Sequence, residues 1–271
     1  MDDGHGVEFE RDGSLVTVVL DGQGQSAVDL DDPTRLEFEY VQHLALCVDA
    51  LAPAGPLRFT HVGGAGLTLP RWVHHTRPGS PQIVLEPDAG LTDAVRRELP
   101  LPRGHRIRVR AVDGLTGAAA LRDASADVVV LDAYAGGRVP AELGTVEWFG
   151  EIGRVLAPGG LLLANVADEP GYRYAGRVAA GARAAIGRVA FVGLHEVLKG
   201  KRFGNLVLVA SPAPLDVWTL RRATASAVLP TGVLAGDELE RRTAGARPFS
   251  TVSGDTAASP PPPERGAWRR R

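Results

Sequence analysis

Residues 58–68 read RFTHVGGAGLT, and this stretch decides the fold. Its first half, residues 58–62, is short and rich in aromatic and β-branched side chains, which favours a strand. Its second half leads through glycines into a helical pattern that begins near residue 68. Glycines at such a turn let the backbone approach a ligand closely and present amide groups near the helix start. We therefore predict a ligand-binding turn that contains Gly63, Gly64 and Gly66.

Outside this turn, short apolar runs alternate with amphipathic stretches. Further strands are predicted at 82–85, 107–111, 128–131 and 161–166, with helices at 68–75, 91–98, 116–122, 145–156 and 173–186. This alternation is typical of a parallel sheet built from βαβ units. The entirely apolar run at 128–131 predicts burial on both faces. Two closing strands, at 189–198 and 205–210, predict an antiparallel hairpin at the sheet edge. The fold class is therefore α/β, with a Rossmann-like, doubly wound, mostly parallel sheet.

The flanking segments predict three smaller units. Asp12-Gly13 separates two β-prone runs, which indicates a hairpin in a small N-terminal β-unit at 1–31. A helical pattern opens at Asp32-Pro33, and the Rossmann-like domain is predicted at 32–213. A C-terminal extension with two short helices follows at 214–249. The proline- and arginine-rich residues 250–271 bury little apolar surface, and we expect a disordered tail there.

Composition excludes several functional classes. The 271 residues carry a formal net charge of -2, which gives no general attraction to nucleic acids. The single cysteine excludes an internal disulfide and a multi-cysteine zinc site, and His74 and His75 are adjacent on a helix and point about 100° apart. We therefore expect no metal. No apolar run approaches the roughly 18 residues of a membrane span, and no signal peptide is visible, so we expect a cytoplasmic protein.

Carboxylates end three successive predicted strands. Glu86 follows the second strand, Asp113-Gly114 the third and Asp132 the fourth. Ligands bind in open α/β sheets outside the carboxyl ends of the strands. An acidic residue about twenty positions after a glycine-rich turn is typical of a ribose-binding site. The sequence therefore predicts a nucleoside pocket at this edge.

These motifs resemble those of the spermidine synthase family, over about residues 15–210. The similarity rests on the turn at 62–66, on Arg71, on the three strand-end acids and on the stretches 127–132 and 154–160. The N-terminal segment agrees, because Leu20-Asp21-Gly22 with Gln25 is similar to the family's Leu-Asp-Gly-x-x-Gln.

The resemblance implies a role for each matching residue. Gln25 is expected to contact the nucleoside of the cofactor, Glu86 to hold its ribose and Asp113, next to Gly114, to bind the adenine amino group. Gly63 and Gly64 are expected to allow the close approach. Asp132 is expected to bind the reacting amine and to accept its proton, which is general-base work.

The chain also departs from the family pattern. Gly66 stands where the family has the aspartate that grips the aminopropyl amine of the cofactor, and Ala135 replaces the second acid of the family's Asp-Ser-Ser-Asp. The family's Tyr-His-Glu corresponds to residues 37–39, which read Glu-Phe-Glu here. Tyr134 and Glu142 are candidates to line the acceptor pocket.

Three functions stay open at this point. The first is transfer of an aminopropyl group from decarboxylated S-adenosylmethionine to a small-molecule amine or other nucleophile. The second is a methyltransferase that uses S-adenosylmethionine, because Gly66 leaves room near the methionine carboxylate. The third is a nucleoside-binding homologue without catalysis. Relatives of this family commonly pair, so the resemblance also implies a homodimer.

Overall fold

The first sheet is small and N-terminal. The structure, a computed structural model, describes residues 6–20 and 22–263; Asp21 of the predicted cofactor motif lies outside them. Three antiparallel strands form this sheet in the order β1-β2-β3: β1 (Val7–Asp12), β2 (Leu15–Leu20) and β3 (Gln23–Asp29). Gly13 adopts φ 61° in the tight turn between β1 and β2, as the Asp12-Gly13 signal predicted. The sheet packs on Leu67 and Val84, beside the glycine-rich turn.

The main sheet has eight strands in the described part of the chain. They are β4 (Phe59–Val62), β5 (Gln82–Leu85), β6 (Ile107–Arg110), β7 (Ala126–Leu131), β8 (Leu156–Asp168), β9 (Arg188–Leu194), β10 (Gly204–Ser211) and β11 (Thr231–Ala235). Their order is β11-β9-β10-β8-β7-β4-β5-β6. The pairs from β8 through β7, β4 and β5 to β6 are parallel, and β10 pairs antiparallel with both β8 and β9. The predicted fold class is confirmed.

Helices cover both faces of this sheet. They are α1 (Glu39–Leu51), α2 (Thr68–Thr76), α3 (Ala89–Glu98), α4 (Gly114–Ala119), α5 (Val146–Val155), α6 (Arg173–Ala185), α7 (His195–Leu198), α8 (Val217–Ala225) and α9 (Asp237–Arg242), with a 3-10 helix at Ala141–Gly144. Val128 and Val130 of β7 pack in one core cluster with α1 and α2, while Val129 and Leu131 pack in the other with α5 and α6. Burial on both faces explains the apolar character of β7.

Local hydrogen bonds shift two predicted boundaries. The first helix begins at Glu39 rather than at Asp32, because the Asp32 carboxylate accepts hydrogen bonds from Thr34 and holds a turn there. The predicted strand 189–198 ends at Leu194, and its last residues form α7. Beyond residue 213, β11 pairs antiparallel with β9 and becomes the sheet edge. The predicted extension therefore continues the main sheet, and its exact limits as a unit stay a prediction.

The expectation of a disordered tail is wrong for residues 250–263. Ser259 is fully buried, and its backbone amide donates to the Val139 carbonyl at 3.2 Å. Asp255 forms an ion pair with Arg177 at 2.5 Å. Tertiary contacts thus order a segment whose own composition supplies little apolar surface. Residues 264–271 lie outside the described chain. Among the described residues, no helix combines the length and apolar character that a bilayer crossing needs.

Candidate active site

A cavity of about 510 Å³ opens where the carboxyl ends of β4, β5 and β7 face the N-terminal sheet. It is the size of a small-molecule site. Gln25, Gly63, Gly64, Glu86, Asp113, Gly114 and Asp132 all line it. Seven of the eight residues proposed for catalysis or cofactor binding are therefore brought together, and the acceptor-pocket candidates Tyr134 and Glu142 line the same cavity. The eighth is Gly66, and it does not line the cavity.

The glycine-rich turn is packed too tightly for side chains. Gly63 has φ 85°, and a Cβ there would overlap the backbone carbonyl of Asp132. A Cβ on Gly64 would stand 2.6 Å from Val84 Cγ1. Both glycines therefore let β4, β5 and β7 end close together, with the turn backbone at the cavity wall.

Gly66 packs against the N-terminal sheet, beside the cavity but not among the residues that line it. Its amide donates to Ser26 Oγ at 3.1 Å, and a Cβ built on Gly66 would collide with that same oxygen. Ser26 also shares a hydrogen bond of 2.9 Å with Thr68 Oγ1. The expectation that Gly66 opens space for a ligand is wrong, because Ser26 already occupies that space.

Glu86 braces the glycine-rich turn. Its Oε2 accepts hydrogen bonds from the amides of Gly64 at 3.1 Å and Ala65 at 3.4 Å, and its Oε1 accepts from Asp88 at 3.1 Å. A carboxylate at the end of β5 thus holds the end of β4 in position. The same carboxylate remains half-buried at the cavity wall.

Asp113 caps helix α4 from the end of β6. Its Oδ1 accepts from the amides of Leu115 at 2.9 Å and Thr116 at 2.8 Å. These hydrogen bonds, with Thr116 the strongest cause, hold the pKa of Asp113 below its usual value, so it is ionised at neutral pH. Gly114 is required beside it, because a Cβ there would overlap Val62. The exposed Asp113 carboxylate can still accept a hydrogen bond from a ligand at the cavity rim.

Asp132 lies at the opposite end of the cavity, just after β7. Asn165 of β8 donates its amide to Asp132 Oδ1 at 3.0 Å, and the Tyr40 hydroxyl also hydrogen-bonds to this carboxylate. Burial raises the pKa of Asp132 to about 6, although the two hydrogen bonds oppose that rise. At neutral pH most Asp132 carboxyl groups are ionised. A pKa of about 6 still lets the carboxylate take up a proton, as a general base must.

Two polar atoms near Asp132 are buried with no hydrogen-bond partner among the described residues. They are Asn165 Oδ1 and the hydroxyl oxygen of Tyr134, and both side chains line the cavity. Unpaired buried polar atoms are costly and call for an explanation. A ligand that donates hydrogen bonds in the cavity would provide one.

Comparison with solved structures shows which family the chain belongs to. A crystal structure of a probable spermidine synthase from Corynebacterium glutamicum is 30% identical to the chain, with a TM-score of 0.82, and the match covers 90% of this chain and 92% of that one. The chain belongs to the spermidine synthase family. No protein-family model matches it.

Other similar proteins are less like the chain. A polyamine aminopropyltransferase from Chromobacterium violaceum is 24% identical over 161 residues, which is 59% of this chain and only 60% of that relative's length. The spermidine synthase from Thermotoga maritima, at 14% identity and a TM-score of 0.55, shares the fold, covering 92% of this chain and 83% of its own. Human methyltransferase-like protein 13 also shares it, at 19% identity and a TM-score of 0.56, over 79% of this chain and 96% of that one.

The structure changes how one motif of the spermidine synthase family is placed on this chain. Residues 37–39 do not line the cavity, whereas Tyr40 does and hydrogen-bonds to Asp132. Tyr40, rather than residues 37–39, is therefore the residue of this segment that contacts Asp132. Tyr40 and Asn165 were not predicted as site residues. The available signals were the aromatic residue at the start of α1 and a single polar residue in the apolar run of β8.

The charged side chains of the described residues that line the cavity are all acidic. No lysine or arginine of the described chain lines it, while five carboxylates do: Glu86, Asp88, Asp113, Asp132 and Glu142. A wall of this kind attracts cations and disfavours anions.

His61 does not offset this negative charge. Gln82 donates its amide to the Pro70 carbonyl at 3.0 Å, so Gln82 Oε1 faces His61 Nε2, also at 3.0 Å. His61 Nε2 is therefore the donor, and Nδ1 is the unprotonated nitrogen. Burial lowers the pKa of His61 to about 4, which keeps the ring neutral at physiological pH.

Proposed function

We propose that this protein transfers an aminopropyl group from decarboxylated S-adenosylmethionine to a small amine. The observation that supports this most is the cavity wall, which has five carboxylates and no lysine or arginine among the described residues. Both partners of that reaction are cations. Among the described residues, no cationic side chain lines the cavity to meet the carboxylate of ordinary S-adenosylmethionine.

The residues present fit an adenosyl sulfonium cofactor. Related folds have been crystallised with adenosyl ligands: one spermidine synthase with the transition-state analogue AdoDATO and human methyltransferase-like protein 13 with SAH. In this chain the backbone at Gly63 and Gly64 offers a wall with no side chains, and Glu86 and Asp113 offer acceptors for hydroxyl and amino groups. Gln25 reaches the same cavity from β3. When bound, the cofactor supplies an alkyl carbon activated by its sulfonium.

Asp132 prepares the acceptor. An amine reacts only when its nitrogen lone pair is free, so a protonated amine must first lose a proton. The ionised Asp132 accepts that proton, and its raised pKa of about 6 makes it a better base than an exposed aspartate. Tyr40 and Asn165 orient the carboxylate, and the unpaired Asn165 Oδ1 can accept a second N–H of the amine. Much of the catalytic effect then comes from positioning.

Methyl transfer is the second candidate, and it is favoured by Gly66. This residue removes the acid that the family resemblance assigns to the aminopropyl amine, and Ser26 occupies its place. Hydroxyls of Ser26 and Thr68 could bind either an amine or a carboxylate, since a hydroxyl both donates and accepts.

Calorimetric titration with three ligands decides between the candidates. The ligands are decarboxylated S-adenosylmethionine, S-adenosylmethionine and methylthioadenosine. We expect the decarboxylated cofactor to bind at least about tenfold more tightly than the carboxylated one, since an uncompensated carboxylate beside like charges costs more than 1.4 kcal/mol. Tighter binding of S-adenosylmethionine would make methyl transfer the function, and no binding of any of the three would refute the cofactor assignment.

Turnover of Asp132→Asn tests the general base. We expect kcat to fall by about 10²–10⁴-fold while binding of methylthioadenosine stays unchanged. Asp127→Asn is the matched control, because Asp127 pairs with Arg58 at the opposite end of β7. Full turnover by Asp132→Asn would remove Asp132 from the mechanism.

A further inference from the structure

We infer that the C-terminal segment 258–263, here called the proline strap, forms the outer wall of the acceptor end of the cavity and limits the length of the amine that fits. The inference rests on the proposed function for the identity of the ligand. That the strap forms a wall is inferred from contacts among the described residues.

Upstream of the strap, the chain is held against α5 and α6. The Phe249 carbonyl accepts from Val146 N at 2.9 Å, and the Arg177 guanidinium lies 3.9 Å from the centre of the Phe249 ring. Glu147 accepts hydrogen bonds from Ser250 Oγ at 2.5 Å and from Thr251 N at 3.0 Å. These contacts fix where the strap begins.

The strap then pairs with the loop that follows β7. Val139 N donates to Ser259 Oγ at 2.8 Å, and Ser259 N donates to the Val139 carbonyl at 3.2 Å. The Arg138 guanidinium donates to the carbonyls of Ser259 at 2.5 Å and Ala258 at 3.3 Å. Reciprocal bonds to a buried serine are a specific attachment, because each would leave an unpaired buried group if broken.

The attached loop forms the acceptor end of the cavity. Asp132, Tyr134, Ala135 and Gly137 all line the cavity, and they precede the residues that bind the strap. The strap therefore holds in place the backbone that carries the proposed base.

Pro262 reaches the cavity itself. It lines the cavity, and its Cγ lies 3.3 Å from the point where a Cβ on Gly137 would stand. Gln23 Oε1 of the N-terminal sheet lies 3.5 Å from the same point. The strap and the N-terminal sheet thus approach each other across Gly137, and together they close this side of the acceptor end.

Proline suits a wall of this kind. Consecutive prolines have fixed φ and no amide donor, so residues 260–263 form a stiff, extended segment. No backbone N–H of these prolines competes with the bound amine for hydrogen-bond acceptors. A stiff apolar wall discriminates by length, because an acceptor that is too long must displace it.

Truncation tests the wall. One variant ends at Thr256 and lacks the strap, and its matched control ends at Pro263 and keeps all described residues. Each is assayed with diamines of three, four and five methylenes and with a longer triamine. We expect loss of the strap to raise kcat/KM for the longest amine relative to the shortest by about tenfold, the range that one or two methylenes are worth in an apolar pocket. The control should keep the ratio of the full chain.

A point variant covers the case in which the truncated protein is poorly folded. Ser259→Ala removes the hydroxyl that accepts from Val139 N. Ser253→Ala is its control, since the hydrogen bonds of Ser253 to described residues stay within the 250–253 turn. We expect hydrogen exchange of the Val139 amide to become faster in Ser259→Ala and not in Ser253→Ala. This measurement needs no turnover.

The outcomes separate the two proposals. If the full chain uses no amine, the proposed function fails, while exchange at Val139 still decides whether the strap holds the loop. If amines are used and the length preference is the same with and without the strap, the wall is refuted and the function stands. Unchanged exchange in Ser259→Ala likewise overturns the attachment of the strap.

Discussion

Replacing Asp132 by asparagine should make the protein more stable while it slows turnover. The pKa of Asp132 is raised from 3.8 to about 6 by burial. One pKa unit corresponds to about 1.4 kcal/mol, so ionised Asp132 costs the folded state about 3 kcal/mol at pH 8. Asparagine keeps the shape and the oxygen that accepts from Asn165, but it carries no charge.

The sign of the effect depends on pH. Because the folded-state pKa lies above the unfolded-state value, the favourable contribution of protonated Asp132 is complete below about pH 4 and is lost as pH rises through about 6. The free energy of unfolding of Asp132→Asn should therefore equal that of the wild type near pH 4. It should exceed the wild-type value by up to about 3 kcal/mol at pH 8.

Urea denaturation of both proteins at several pH values measures this difference. Asp127→Asn provides a control of opposite sign, because hydrogen bonds from Arg58 lower the pKa of Asp127 and its stabilisation is lost as pH falls. That control should be least stable, relative to wild type, at high pH. If Asp132→Asn is destabilised at pH 8, or its difference from wild type does not vary with pH, burial does not destabilise ionised Asp132.

Three further outcomes follow from the site. Glu86→Gln should weaken binding of methylthioadenosine by about tenfold in calorimetry, because a carboxylate is a stronger acceptor than an amide; unchanged affinity would remove Glu86 from the nucleoside site. Gly63→Ala should lower the free energy of unfolding by more than about 4 kcal/mol through its overlap with the Asp132 backbone. Gly159→Ala, with φ 76° and nothing within 4 Å, should cost only about 1 kcal/mol in the same denaturation assay. The His61 ring should appear in nitrogen NMR spectra as the Nε2–H tautomer and should not titrate above about pH 5, and a titration near neutrality would contradict its buried, neutral state.

Much of the fold was predictable because its signals are local. The apolar run of β7 and the turn at Gly63 depend on residues next to one another in the chain. The strand β11 was missed, because the glycine and alanine in Thr231–Ala235 leave only two large apolar side chains to mark a strand. Its stability comes from pairing with β9, which is distant in sequence.

The candidate site was predictable where it follows from strand ends. Glu86 and Asp132 could be placed together because parallel strands end at one edge. Tyr40 could not, because the start of α1 was set seven residues too early, at Asp32 instead of Glu39. Asn165 could not either, because a lone polar residue inside a buried strand shows a partner only once the neighbouring strand is known.

The amino-acid sequence by itself determined the α/β architecture, the glycine turn and the row of strand-end acids, since each is encoded by residue type and spacing over a few positions. Only the tertiary structure decided the chemistry of Asp132. Its pKa depends on burial and on hydrogen bonds from Tyr40 and Asn165, which are far from it along the chain. The proline strap is the same kind of case. Its residues have too little apolar surface to order themselves, and it is contacts with Val139 and Arg138 that hold them at the cavity.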